Sequence, residues 1–258
     1  GDARTVLQDL LATAKPGDTA EWLKRLDGYK KKWPLAYARK GGLHPPQIID
    51  ALNRLTKGKA IMTTDVGQHQ MWAWQWYKCD QPWQFITSGG AGTMGFGLPS
   101  AIGAQFGRPG ETVITIVGDG GFQMTMSELA TAVIHKLPVK IIIMNNHYLG
   151  MVRQWQDMFY EERYSGVDLE GNPDFVELAK AYGILGLNLK RKADIDKILK
   201  KALNHPGPAI VNVEVVKHEE VFPMVPPGKP LEDTVLEHPR RKPGRPAGSK
   251  RAAAKKPA

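Results

Sequence analysis

Gly118-Asp119-Gly120 and Asn145-Asn146 are the residues whose types and spacing best suit chemistry. An Asp carboxylate and an Asn carbonyl offer hard oxygen ligands. Magnesium takes about six oxygens and often completes its set with phosphate and water. Glycines at 118, 120 and 121 let backbone N–H groups approach an anion, and a following helix start favours negative charge. Asp119 follows the apolar run Thr112–Val117, and Asn145-Asn146 follow Val139–Met144. One helix, Thr125–His135, fits between them. In a right-handed βαβ unit both strand ends then reach the same sheet edge, where open α/β sheets bind ligands. The pattern asks for a magnesium-bound diphosphate. Each half alone reads equally well as turn chemistry: a capping Asp, and an Asn pair making local hydrogen bonds. Both halves together, with 24 residues between Gly120 and Asn145, argue for a site.

A rival lies in the same stretch. Gly90-Ala91-Gly92-Thr93-Met94-Gly95 satisfies G-x-G-x-x-G, and Asp119 stands 24 residues beyond Gly95. That is near where a Rossmann dinucleotide domain places its ribose-binding acid. This reading leaves Asn145-Asn146 unexplained. It also wants a longer apolar strand than Trp83–Thr87.

The elements that must position these residues alternate in type. Expected strands are 60–64, 84–87, 112–117, 139–144 and 209–216. Expected helices are 46–55, 68–77, 98–106, 125–135, 150–161, 174–182 and 193–203. The runs at 112–117 and 139–144 are β-branched and nearly continuous in apolarity, which suits strands buried on both faces. The fold class expected is α/β: a doubly wound, mainly parallel sheet with helices on both faces over residues 44–216. Before it, 5–13 and 18–32 read as two helices parted by Pro16-Gly17, with Asp18 as an N-cap. Beyond Val216 the chain reads as loop, with five prolines from Pro223 to Pro239.

Composition sets outer limits. The chain has 258 residues, 42% hydrophobic, enough for one full core and a smaller piece. No apolar run is long enough for a membrane span, so no membrane partner is expected. Gly1–Val6 lacks the basic start and apolar middle of a signal peptide, and the chain opens as if inside a larger protein. Cys79 is the sole cysteine, which excludes an intrachain disulfide and suggests a reducing compartment. Residues 238–258 carry eight Lys/Arg and no acid; removing eight from the net +9 leaves +1 for the rest. That basic tail reads as disordered. Its Gly244-Arg245-Pro246 resembles an AT-hook core, the one hint of nucleic-acid binding, weighed against a plain solvated tail.

Longer segments now bear a resemblance. Val66–Ala73 (VGQHQMWA), Thr87–Pro99 (TSGGAGTMGFGLP), Gly118-Asp119-Gly120 and Asn145–Trp155 (NNHYLGMVRQW) closely resemble acetohydroxyacid synthase (acetolactate synthase), large catalytic subunit. The likeness runs from residue 1 to about 230. It implies four parts. Residues 1–40 would be the end of a central, FAD-carrying domain with its linker. Residues 41–220 would bind the diphosphate of thiamine diphosphate (ThDP) with Mg2+. Residues 221–237 would fold back over the site, and 238–258 would be the tail.

The resemblance also assigns residues. Asp119, Asn146 and the main-chain oxygen of Tyr148 would ligate Mg2+. Gly120, Gly121, Leu149 and Gly150 would line the diphosphate, with Val66, Gly67, Gln68 and His69 on its other side. Gly92 would touch the pyrimidine, and Met94 would wedge the cofactor into a V. Met151, Val152 and Trp155 would shape the second-substrate pocket. From spacing alone, those three read equally as core residues of an amphipathic helix, and His69 as a helix-start hydrogen bonder.

The implied reaction is decarboxylation of pyruvate and joining of the two-carbon unit to pyruvate or 2-ketobutyrate, for branched-chain amino acids. Another ThDP-dependent 2-keto acid decarboxylase or carboligase stays open. The implied partners are a homodimer or tetramer and a regulatory small subunit, in a bacterial cytoplasm or a plastid. The family's catalytic glutamate belongs to a pyrimidine-binding domain of a neighbouring subunit. No catalytic residue is therefore expected in this chain, which by itself is expected to be inert.

Overall fold

The β-branched runs form the middle of a six-stranded, all-parallel sheet. The computed structural model describes residues 1–37 and 40–238. It divides into two units, Gly1–Ala36 and the chain from Tyr37 onward. That division falls four residues before the expected boundary at 40/41. The AT-hook-like residues 242–246 lie outside the described residues, as does nearly all of the basic tail.

The smaller unit holds α1 (Ala3–Thr13) and α2 (Ala20–Lys32). Asp2 caps α1 by accepting a hydrogen bond from the Thr5 N–H at 3.0 Å, so this helix starts before the expected residue 5. Asp18 Oδ1 accepts from the Ala20 N–H at 3.2 Å, just ahead of α2. Neither helix buries a residue.

The larger unit runs α3 (Pro45–Thr56), β1 (Ile61–Thr64), α4 (Gln68–Trp76), β2 (Phe85–Thr87), α5 (Gly97–Gly107) and β3 (Val113–Gly118). It continues α6 (Asp119–Thr125), α7 (Leu129–Ile134), β4 (Lys140–Asn145), α8 (Gly150–Phe159), α9 (Phe175–Ala181), β5 (Leu185–Leu189), α10 (Ile195–Leu203) and β6 (Ala209–Glu214). The strand order is β2-β1-β3-β4-β6-β5.

Successive strand residues point to opposite faces. Ile114, Ile116, Ile142 and Met144 therefore join one core with Ile48, Leu52, Trp72 and Leu199 from α3, α4 and α10. Val113, Val117, Ile141 and Ile143 join the other with Leu98, Phe122, Leu129 and Phe175 from α5, α6, α7 and α9. Both sheet faces are covered, and the central strands are buried throughout, which is why they read as continuous apolar runs.

Three expectations need correction. The helix expected over 125–135 begins six residues earlier, at Asp119, breaks at a 3-10 turn Met126–Glu128 and resumes at Leu129. The glycines that mask helix propensity around Asp119 are overridden by packing of Phe122. Strand β5 was not expected, because Leu-Gly-Leu-Asn-Leu is short and holds a glycine. Gly186 is there for close approach: a Cβ would stand 2.9 Å from that of Ala179 on α9. The dinucleotide alternative also fails on topology. The glycine loop follows edge strand β2, and β1 lies between β2 and β3. The strands flanking the loop and its helix are therefore not neighbours, as a Rossmann unit requires.

Candidate functional site

Four chain segments meet at the carboxyl edge where β1 and β3 lie side by side. From β1 the chain leaves outward to β2, and it returns on the other side as β3, which is the reversal that opens a ligand crevice in doubly wound sheets. Val66–His69 follow β1. Gly118–Gly121 pass from β3 into α6. Asn146–Val152 pass from β4 into α8, and Met94 reaches in from the loop after β2. With Trp72, Met144 and Val215 they wall a narrow cleft. Every residue expected at the cofactor lines it except Gly92, which sits behind Val66.

Asp119 opens α6 and is 1% exposed. Its Oδ2 accepts a hydrogen bond from Asn172 Nδ2 at 2.6 Å. The same Nδ2 lies 3.3 Å from Asn145 Oδ1, and Asn172 Oδ1 accepts from Gln123 Nε2 at 2.8 Å. Burial pushes the Asp119 carboxyl up to about 6, while the Asn172 amide and His147 act in the opposite direction.

The asparagine pair divides its labour. Asn145 ends β4, and its Nδ2 donates to Asn212 Oδ1 at 3.2 Å; Asn212 in turn donates to Asn188 Oδ1 at 2.8 Å. This polar ladder ties β4, β6 and β5 together. Asn146 lines the cleft, and its Oδ1 accepts from the Tyr148 N–H at 3.1 Å. His147 between them adopts the left-handed conformation, φ 59°, which turns the chain out of the sheet.

The opposite wall is built on β1. His69 is buried and its ring packs where side chains on Gly67 or Gly118 would stand, 3.1 Å away in each case. Burial holds its pKa down at about 4, so the ring is neutral at pH 7. Among the described residues its Nε2 has no hydrogen-bond partner. Asp65 has no exposed surface; its Oδ1 accepts from the Phe96 N–H at 3.1 Å, and among the described residues its Oδ2 has no hydrogen-bond partner. Its carboxyl is raised by burial. A Cβ on Gly121 would meet Asp65 Oδ2 at 1.7 Å, and one on Gly150 would meet Gln68 Oε1 at 2.1 Å. A side chain at either position would force Asp65 or Gln68 to shift.

Helix α8 is apolar on the wrong side for a core helix. Gln154, Asp157 and Met158 are buried, while Val152, Trp155 and Phe159 are 48%, 37% and 41% exposed. The reading of Met151, Val152 and Trp155 as core residues is thereby overturned for Val152 and Trp155. With Gln156, Tyr160 and Arg163 these three line a second, more open hollow. Met151 and Val152 belong to both spaces. Gln154 faces inward because it accepts from Gln68 Nε2 at 2.8 Å and exchanges two hydrogen bonds with the Val221 backbone.

Sequence reasoning missed Asp65, Trp72 and Asn172. Asp65 carried a usable signal, since it ends a strand as Asp119 does. Asn172 carried none; it lies in a loop and reaches Asp119 only through the tertiary fold.

Residues 65–213 match the family described as thiamine pyrophosphate enzyme, C-terminal TPP binding domain. The chain is 45% identical over 229 residues to an acetolactate synthase large subunit of Parasynechococcus marenigrum, covering 88% of this chain and 37% of the relative. It is 42% identical over 250 residues to the chloroplastic acetolactate synthase 1 of Oryza sativa, covering 92% and 39%. It is 44% identical over 242 residues to the mitochondrial acetolactate synthase catalytic subunit of Saccharomyces cerevisiae, covering 91% and 35%. The chain thus spans well under half the length of these relatives.

Proposed function

The chain belongs to the thiamine pyrophosphate enzyme family, and we propose that its cleft binds the diphosphate of ThDP through Mg2+ within an acetolactate synthase large subunit. The observation that carries this reading is the convergence of Asp119 and Asn146 beside Gly120, Gly121 and Gly150, where a Cβ would crowd Leu149, Asp65 and Gln68 at 2.6, 1.7 and 2.1 Å. The donor set fits. Asp119 and Asn146 present hard oxygens, and the Tyr148 carbonyl would add a third. The Asn172 amide donates to Asp119 Oδ2 at 2.6 Å and fixes the carboxylate's orientation.

ThDP supplies an electron sink for losing carbon dioxide from a 2-keto acid and for passing on the remaining two-carbon unit. The chain's own residues bind and orient. Gly120, Gly121 and Gly150 admit phosphate oxygens close to the backbone. Neutral His69 and Gln68 face the phosphates without adding charge. The terminal methyl of Met94 lies 3.8 Å from where a Cβ on Gly120 would stand, and supports the cofactor from below as an adaptable apolar group. Met151, Val152 and Trp155 would present an apolar wall to the second 2-keto acid, pyruvate or 2-ketobutyrate.

Among the described residues no glutamate lines the cleft. The acid that activates the cofactor would come from other residues of the assembly, as would any regulatory subunit. FAD is assigned no step: α1 and α2 bury no side chain. No helix among the described residues is long and apolar enough to cross a membrane.

The test is calorimetric titration of ThDP with and without Mg2+. Binding is expected to require Mg2+ and to vanish in Asp119→Ala. Equal binding without metal, or in the variant, overturns the reading.

A further inference from the structure

Asp65 is a buried acid to which the reading of the cleft gives no task. It follows β1 directly and does not itself line the cleft. Its Oδ1 accepts from the Phe96 N–H across 31 residues of sequence. Phe96 is the N-cap of α5, and its own side chain makes no capping hydrogen bond. The first N–H groups of a helix have no partner inside it and favour an anion. Asp65 therefore caps α5 from another element. Burial raises its carboxyl, while the N–H groups of Gly95, Val66, Phe96 and Gly97 act in the opposite direction.

The second carboxyl oxygen touches a different wall. Oδ2 stands against Gly121 on α6, at the contact that leaves a Cβ only 1.7 Å. One carboxyl group thus meets both the turn that follows Met94 and the backbone of the diphosphate seat. Two hydroxyls complete the grip on that turn. Thr125 Oγ1, from α6, donates to the Gly95 carbonyl at 3.0 Å, and Thr63 Oγ1, from β1, donates to the Gly97 carbonyl at 3.1 Å. Gly95 adopts φ 87°, a left-handed conformation that turns the chain between Met94 and α5.

We propose that Asp65 is a positioning residue that fixes the gap between Met94 and Gly120-Gly121, and so the height of the cofactor's rings above its diphosphate. This rests on the reading of the cleft as a ThDP site. A capping side chain on Phe96 would hold α5 alone. A carboxyl group that follows β1 and presses on Gly121 also sets the distance from the start of α5 to α6. The two threonines hold carbonyls of the turn, whereas Asp65 is the acceptor for its N–H. Without it a buried donor at the start of α5 loses its partner, which is costly, and the turn carrying Met94 relaxes. Asp65 acts through Met94, not by touching the ligand.

The experiment titrates the 258-residue chain with ThDP and, separately, with inorganic diphosphate, both in Mg2+. Inorganic diphosphate uses the seat but has no rings. Asp65→Ala is expected to weaken ThDP binding about tenfold, because the turn must then be ordered at the expense of binding, and diphosphate binding by less than about twofold. Met94→Ala is expected to show the same split. Adding Asp65→Ala to it is expected to cost less than about twofold more, as for residues that act through one another. Asp65→Asn keeps the shape and the Oδ1 acceptor, so it is expected to recover most of the ThDP affinity. Asp65→Ser, which leaves the space against Gly121 open, is expected to show the split if Asp65→Ala does not fold. Unchanged ThDP affinity in Asp65→Ala, or an equal loss of both ligands in a variant with the parent's far-UV circular dichroism, overturns the role of Asp65. A parent chain that binds neither ligand overturns instead the reading of the cleft.

Discussion

The cleft beside Gly118–Gly121 and the outward face of α8 share Met151 and Val152 but are built from opposite materials. The cleft is backbone, glycine and buried polar groups, with Asp119 at 1% exposure. The outward face is side chain, apolar and open, with Trp155 at 37%. The cleft draws most of its lining from segments that follow the strand ends of one sheet. The outward face is an apolar stripe, Val152, Trp155 and Phe159, on a helix whose Gln154 and Asp157 turn inward. A wall that holds charge must be preorganised, because a misplaced buried polar group is costly. A wall that only excludes water can wait for its other side.

The contrast breaks most sharply at Asp119. Replacing it by Ala is expected to weaken Mg2+-dependent ThDP binding at least ~100-fold, since even outer-shell losses at metal sites reach ~10–100-fold. Isothermal titration reads this directly, and a loss under fivefold would place the metal elsewhere. Gly121→Ala is expected next. Its Cβ would overlap Asp65 Oδ2 at 1.7 Å, and overpacking of this kind destabilises by about 1–3 kcal/mol. Urea unfolding of the folded chain tests it, and an unchanged midpoint would mean the β1 wall yields.

Titration sharpens the comparison at a smaller scale. Metal needs the ionised carboxylate, so with Asp119 near 6 the Mg2+ affinity is expected to be level above that pH and to fall about tenfold per unit below it. Stability without metal has two opposed contributions. Asp119 titrates higher folded than unfolded, so its contribution grows as pH falls from about 6 towards the ordinary Asp range. His69, near 4 when folded, is depressed from its ordinary value, so its contribution is present at neutral pH and is lost as pH falls towards 4. His69→Gln is therefore expected to raise stability at pH 5 relative to pH 7, compared with the parent. A parallel pH profile would show that His69 is not shielded from water.

The smallest effect belongs to the outward face. Trp155→Ala is expected to cost about 1 kcal/mol, for the lost packing on Phe159. It should also leave ThDP binding unaltered while changing the choice between pyruvate and 2-ketobutyrate in the assembled enzyme. Loss of cofactor binding in this variant would make the two spaces one site.

Much of this was legible because it follows from local rules. The parallel sheet showed in Val113–Gly118 and Lys140–Asn145, since strands covered on both faces need continuous apolarity. The Asp119 and Asn146 placement followed from strand ends sharing an edge. Strand β5 was not legible, because an edge strand with Gly186 lacks both continuity and β-branching. Neither was the start of α6 at Asp119, where three nearby glycines argue against a helix.

By itself the sequence determined the sheet edge at which a carboxylate, an amide and bare backbone would meet, because strand periodicity and βαβ handedness are set by short-range sterics. It determined too which residues are too small to be anything but glycine-bordered cleft. Only the tertiary structure decided that Asn145 braces the sheet while Asn146 faces the cleft, that Asn172 holds Asp119, and that α8 turns Trp155 outward. Those outcomes depend on which long-range neighbours arrive, Asn212, Asn172 and Val221 among them, and no local pattern specifies a partner dozens of residues away.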